Sequence, residues 1–215
     1  MTARPVVTSG LDYDPVLACR HLSDADPPLG ALIERVGPYL LRPRHTQSLF
    51  AAVARAIVYQ QLSGSAAATI LGRVKAIYAP KRFPTPRDIL ATPPERLRAA
   101  GLSAAKTAAL RDLAERSLDG TVPTMRRVRL MEDEDVIERL VQVRGVGRWT
   151  AEMLLMFRLG RADVLPVSDL GIRKGFALTF GYRLLPAAIT IQRRAERWRP
   201  YRSVACWYLW RALEL

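Results

Sequence analysis

One residue whose type could do chemistry is Asp169, which opens a helical run directly after Pro166-Val167-Ser168. A carboxylate at that position serves as a plain N-cap. It also suits a reaction. The positive end of a helix favours the anion, and a fixed anion can stabilise a developing cation or orient and deprotonate water. The two readings are compatible. A second feature is Arg144-Gly145-Val146-Gly147, set between helical runs in LVQVRGVGRWTAEMLL. Glycines leave room for a bulky group to approach the main chain. The first amides of the following helix carry partial positive charge, which suits a phosphate, and Arg148 adds to it. The alternative is a helix corner whose glycines only permit packing. His21 and His45 are far apart, with no cysteine or clustered carboxylate at ligand spacing, so they make no metal site.

The frame around these residues is a globular one. The chain has 215 residues, 49% hydrophobic and 25% charged. That suggests one domain or two small ones with a genuine apolar core, and it argues against collagen-like, coiled-coil or disordered chains. No apolar run approaches the roughly 20 residues that span a bilayer. The segment MTARPVVTSGLDYDP lacks the apolar stretch of a signal peptide. Two cysteines, Cys19 and Cys206, cannot make a disulfide framework or an iron–sulfur cluster from this chain alone, which points to a reducing compartment. Lys+Arg is 33 and Asp+Glu 20, so 33 − 20 leaves a net charge of +13. Such an excess implies a polyanionic partner, nucleic acid or an anionic membrane surface, unless the surface is basic with no specific partner.

Periodicity predicts helix after helix and no strand. Short helices are expected from Asp14 to about Leu22 and from about Asp26 to Val36, the second with Pro27 and Pro28 in its first turn and stopped at Gly37-Pro38. TQSLFAAVARAIVYQQLS comes next, broken at Ser63-Gly64, then a helix from about Ser65 to Ala79. The prolines at 80, 84, 86, 93 and 94 leave only short helical turns. Ser103 is a cap for AAKTAALRDLAERSL, which ends at Gly120. Acidic residues 132–135 suit the start of a helix through about Val141. Further helices are expected at about 147–158, 169–178, 187–197 and 200–213.

Four blocks carry a family resemblance. LVQVRGVGRWTAEMLL resembles the helix–hairpin–helix of base-excision DNA glycosylases, and LPVSDLGIRKGF resembles the turn and Asp that come after it in that superfamily. AIVYQQLSGSAAATIL and GLSAAKTAALRDLA are similar to the helices placed around its DNA. AERWRPYRSVACWYLWRALE is similar to the C-terminal helix of AlkA-type 3-methyladenine glycosylases. Together they span roughly residues 46–213 in order. The chain is too short for the extra N-terminal β-rich domain of some AlkA-type enzymes, and it lacks the four-cysteine cluster of the endonuclease III and MutY branches.

The resemblance implies an all-α fold of two helical lobes with a DNA-binding cleft between them. The whole of 1–215 would form one glycosylase unit, with a central lobe at 46–165 and a second lobe made of 1–45 with 166–215. It places the catalytic carboxylate at Asp169. Trp149 stands where bifunctional relatives carry a lysine. Tryptophan cannot form a Schiff base, so water is the nucleophile and no AP-lyase step is expected. Lys174, five residues beyond Asp169, is no obvious substitute. Trp149 and Trp210 resemble the aromatic pocket for a flipped, cationic base, with Tyr59 and Phe50 as weaker candidates. Core packing beside Val204, Ala205, Tyr208 and Leu209 is the alternative for Trp210. Gln61, in YQQLS, lies where relatives insert a wedge into the DNA stack; the alternative is a solvated side chain. Arg144, Gly145, Gly147, Arg148 and Thr150 form the DNA-contacting hairpin, and Lys106 is either a phosphate contact or a structural one. The main-chain carbonyls of Val141, Val143 and Val146 would hold a monovalent cation, Na+ or K+; no cofactor is required. The expected activity is removal of alkylated purines from duplex DNA by a monomer that binds no membrane. It would act in the nucleoid of a bacterium or archaeon, or in the nucleus of a eukaryote. A glycosylase for etheno, deaminated or oxidised bases, and a non-catalytic DNA-binding module, remain the alternatives.

Overall fold

Asp14 accepts hydrogen bonds from the N–H groups of Val16 and Leu17, and with Pro15 it starts the first helix, α1 (Pro15–Ala25). The same logic sets most later boundaries. The computed structural model describes residues 11–43 and 48–215; His45 lies outside them. Pro27 and Pro28 open α2 (Pro27–Val36), which stops at Gly37. Ser48 caps α3 (Leu49–Tyr59) and Ser63 caps α4 (Gly64–Ala76). The proline-rich stretch folds as two short helices, α5 (Pro86–Ala91) and α6 (Pro94–Ala99). Ser103 caps α7 (Ala104–Leu118). An unanticipated turn of helix, α8 (Met125–Val128), precedes α9 (Asp133–Leu140).

After the Gly145 turn comes α10 (Arg148–Leu154), which widens into a π turn at Leu155–Leu159. The last elements are α11 (Leu170–Phe180), α12 (Ala188–Ala195), a 3-10 turn at Glu196–Trp198 and α13 (Arg202–Arg211). Among the described residues there is no strand, and no helix is long and apolar enough to cross a membrane.

These helices group into two compact units. One comprises the N-terminal segment up to residue 45 with Leu155–Leu215; the other is Thr46–Leu154. Residues 155–165 were expected in the central lobe. They fall in the terminal unit because tertiary bonds hold them there: the Val164 amide donates to Ser203 Oγ at 2.9 Å, the Ser203 amide to the Ala162 carbonyl at 2.9 Å, and Arg202 pairs with Asp163 at 2.7 Å.

The core of the terminal unit contains Leu22, Leu29, Phe176, Trp198 and Tyr208, all fully buried. Its α11 and α13 come into main-chain contact at Gly175, where a Cβ would overlap the Leu209 carbonyl. Asp26, also fully buried, accepts from Arg194 at 2.6 and 2.8 Å and from the Trp198 indole at 2.9 Å. A buried carboxylate needs such complete pairing, and here it ties the start of α2 to α12. In the central unit, Ile57, Ile89, Leu97, Leu110, Leu113 and Leu140 are among the large buried side chains, with α7 packed against α3 and α5.

Candidate active site

In the terminal unit the turn before α11 presents Asp169. Its amide donates to the Pro166 carbonyl at 3.0 Å, and its side chain caps the helix by accepting from the Ile172 amide at 2.8 Å. The same oxygen, Oδ1, accepts from the Trp210 indole N–H at 2.9 Å. A carboxylate held by two donors from different helices is fixed in orientation. Asp169 stays half-buried.

Trp210 reaches it from α13. The alternative of plain core packing does not describe this ring: Val204, Ala205, Tyr208 and Leu209 are fully buried, whereas Trp210 is half-buried with its polar edge on Asp169. Phe157 of the π turn lies against the indole, ring centroids 5.7 Å apart. Gly171 makes the approach possible. A Cβ there would stand 2.7 Å from Trp210 Cδ1, 2.9 Å from its Nε1 and 3.0 Å from Asp169 Oδ1. The unit thus offers an oriented carboxylate at a helix N-terminus with an aromatic ring beside it.

The central unit holds the hairpin. Gly145 has φ +76°, a conformation a side chain would strain. Gly147 is different: its φ is not positive, and a Cβ there would meet nothing within 4 Å. Neither packing nor backbone conformation requires glycine at 147. The position is exposed and open to approach from outside. Arg144 is exposed, and its amide donates to Asp112 Oδ2 at 2.7 Å, which braces the turn.

Arg148 departs from expectation. Its guanidinium is gripped by both oxygens of Glu134, at 2.6 and 2.7 Å, and by Glu152 at 3.1 Å. The fork-to-fork bond to Glu134 holds Arg148 above its ordinary pKa and Glu134 below the usual carboxylate range. Two carboxylates offset the charge that Arg148 was expected to add to the hairpin. The Thr150 side chain is covered, 8% exposed, in the first turn of α10.

Trp149, by contrast, is 47% exposed on that helix. Phe50 is a core residue, 6% exposed and edge-on to Phe83, so it is unavailable as a pocket wall. Tyr59 is half-buried with the Arg55 guanidinium 3.9 Å over its ring, leaving at most one face to a base. Lys106 donates from Nζ to the carbonyls of Val58 and Gln60, at 2.7 and 2.8 Å. Its ammonium is engaged in closing the C-terminus of α3, and burial lowers its pKa. Gln61, just beyond, is exposed with φ +56°, the one non-glycine residue with positive φ among those described. Strain of this kind collects at working parts of proteins.

The carbonyls proposed for a cation belong to Val141, which ends α9, and to Val143 and Val146, which close the turn with a 3.0 Å bond from the Val146 amide to the Val143 carbonyl. A helix C-terminus presents oxygens at the negative end of its dipole, and a carbonyl that accepts one hydrogen bond retains a second lone pair. Neutral carbonyl oxygens are a donor chemistry that suits a monovalent cation. No group of three His, Cys, Asp or Glu residues that could hold a metal occurs among the described residues.

Residues 54–200 match the family described as the HhH-GPD superfamily base excision DNA repair protein. The chain belongs to that superfamily. It is 38% identical over 198 residues to DNA-3-methyladenine glycosylase 1 of Schizosaccharomyces pombe, covering 91% of this chain and 86% of that protein. Among solved structures, the S. pombe 3-methyladenine DNA glycosylase in complex with abasic DNA superposes with a TM-score of 0.80 at 37% identity, over 93% of this chain and 97% of that one. A DNA-3-methyladenine glycosidase from Bacillus halodurans gives 0.83 at 33% identity, over 94% and 89%. The AlkA-type resemblance read from the four sequence blocks therefore holds, as does the all-helical HhH-GPD fold.

Residues that sequence reading did not single out are Gln60, whose amide Nε2 donates to the Gly145 carbonyl at 2.9 Å, Asp112, Glu134, Phe157 and Gly171. Gly171 alone left a signal, since a glycine two residues past a capping Asp leaves space over the cap.

Proposed function

We propose that this HhH-GPD protein is a monofunctional DNA glycosylase that releases alkylated purines, 3-methyladenine and 7-methylguanine, from duplex DNA. The observation that carries the reading is the Asp169 carboxylate, capped onto α11 and bonded to the Trp210 indole. In the reaction the bond from C1′ of the sugar to the base breaks and its electron pair leaves with the base. Positive charge builds on the deoxyribose, and Asp169 stabilises it electrostatically. Water adds at C1′ and gives up a proton, which Asp169 would accept or direct. A cationic alkylated base leaves without acid assistance, in keeping with a single carboxylate beside Trp210. The aromatic face of Trp210 attracts a cationic base.

The hairpin around Gly145 and Gly147 would hold the phosphate backbone without reading sequence. Val141, Val143 and Val146 would hold Na+ or K+ through their carbonyls, adding positive charge for a phosphate. The hydrolysis as written needs no other cofactor. The protein would act as a monomer on the genome, in the nucleoid of a bacterium or archaeon or the nucleus of a eukaryote.

The names of the relatives, DNA-3-methyladenine glycosylases, support the substrate class. The test is incubation with methylated duplex DNA. Free methylated purine should appear while the strand stays intact, and borohydride should trap no protein–DNA adduct. A trapped adduct would overturn the water mechanism, and no released base from any alkylated duplex would overturn the substrate class.

A further inference from the structure

We infer that Gln60 is a positioning residue that joins the wedge turn to the hairpin turn, so that gripping the phosphate backbone and prising the stack apart are done by one rigid piece. The inference rests on the glycosylase reading of Gln61 as the wedge and deepens it. Four hydrogen bonds within the central unit carry it. The Gln60 side-chain amide donates to the carbonyl of Gly145 at 2.9 Å, across 85 residues of sequence. Lys106 Nζ clamps the main chain on either side of Tyr59, at the Val58 and Gln60 carbonyls. The Arg144 amide, one residue before Gly145, is held by Asp112 of α7, the helix that also carries Lys106. Both turns are therefore anchored to α7, and Gln60 bridges them directly.

The residue held by this arrangement is Gln61 at φ +56°. A left-handed non-glycine conformation persists only where its surroundings over-determine it. The clamp fixes the main chain immediately before Gln61, so its exposed side chain leaves the turn in one direction. Without the Gln60 bridge the turn can relax, and the wedge is no longer in register with the hairpin. Binding through the hairpin would persist, because its amides and glycines are untouched. Extrusion of a stacked base would suffer, because it needs the wedge at the right height in the stack.

The test is Gln60→Met, which keeps the length of the side chain and removes the donor. Lys106→Met serves as a second variant acting through the other half of the clamp. Wild type and variants are compared on duplexes with a methylated purine, either correctly paired or opposite a mismatch that already loosens the stack. A 2-aminopurine beside the lesion reports unstacking by its fluorescence. The expected result for Gln60→Met is binding to abasic duplex within about twofold of wild type and a single-turnover release rate on paired DNA lowered about tenfold. The fluorescence rise at saturating protein should fall in parallel, and release from the mismatched duplex should stay near wild type. Equal losses on paired and mismatched DNA, or an unchanged rate on paired DNA with unchanged fluorescence, would overturn the role. If wild type itself releases no base while the fluorescence response still depends on Gln60, the glycosylase reading fails and the positioning role stands.

Discussion

At Gly171 the space available to one methyl group decides whether the Trp210 indole can rest on Asp169. The indole is half-buried, so we expect it to give way outward and Gly171→Ala to cost little stability, about 1 kcal/mol by denaturant melting. The carboxylate would lose its second donor and its fixed direction, so single-turnover base release should fall about 10- to 100-fold. An alanine variant that releases base at the wild-type rate would show that the indole bond does not matter to the reaction. Asp169 itself is legible in sequence, because a capping carboxylate after a proline turn has a recognisable pattern. Its bond to Trp210, 41 residues away, is not, because a tertiary hydrogen bond leaves no trace in spacing. Lys106 illustrates the same limit: its residue type suggests an anion, but its partners are main-chain carbonyls, which carry no side-chain signature. Arg148 reads as available charge for a similar reason; Glu134, which holds it, lies 14 residues before it on another helix.

Among the elements, the crossing of α11 and α13 is the contact least able to yield. Gly175 faces the Leu209 carbonyl carbon and oxygen, which are main-chain atoms within α13. Gly175→Ala must push two helices apart rather than turn a side chain aside. We expect a loss of about 3 kcal/mol or more, read from the urea midpoint at unchanged slope. A wild-type midpoint would mean that the helices part freely. Capping residues such as Asp14, Ser63 and Ser103 make many helix starts readable, since each satisfies orphan N–H groups locally. The π turn at Leu155–Leu159 has the periodicity of ordinary helix in the sequence. The segment after it, around Asp163 and Val164, is held by Ser203 and Arg202, some 40 residues on, and periodicity cannot register such distant anchors. The short α8 leaves no pattern because four residues are too few to show a period.

For the whole molecule, affinity for DNA and chemistry on DNA draw on different resources. Attraction to a polyanion comes from a net charge of +13 spread over the chain, so no single residue controls it. In the proposed function the chemistry is concentrated in one carboxylate. Changing Asp169 to Asn separates the two: asparagine Oδ1 can still accept from the Ile172 amide and the Trp210 indole, so the cap and the ring contact survive, and one negative charge fewer does not weaken binding to DNA. The most direct measurement is therefore single-turnover release of 3-methyladenine from one methylated duplex by wild type and Asp169→Asn, with binding of each to an abasic duplex measured beside it. The variant is expected to bind at least as tightly as wild type while its release rate falls about 1,000-fold or more. Release within about tenfold of wild type by a fully bound variant would contradict this expectation, because so small a loss is less than the removal of a principal transition-state contact produces.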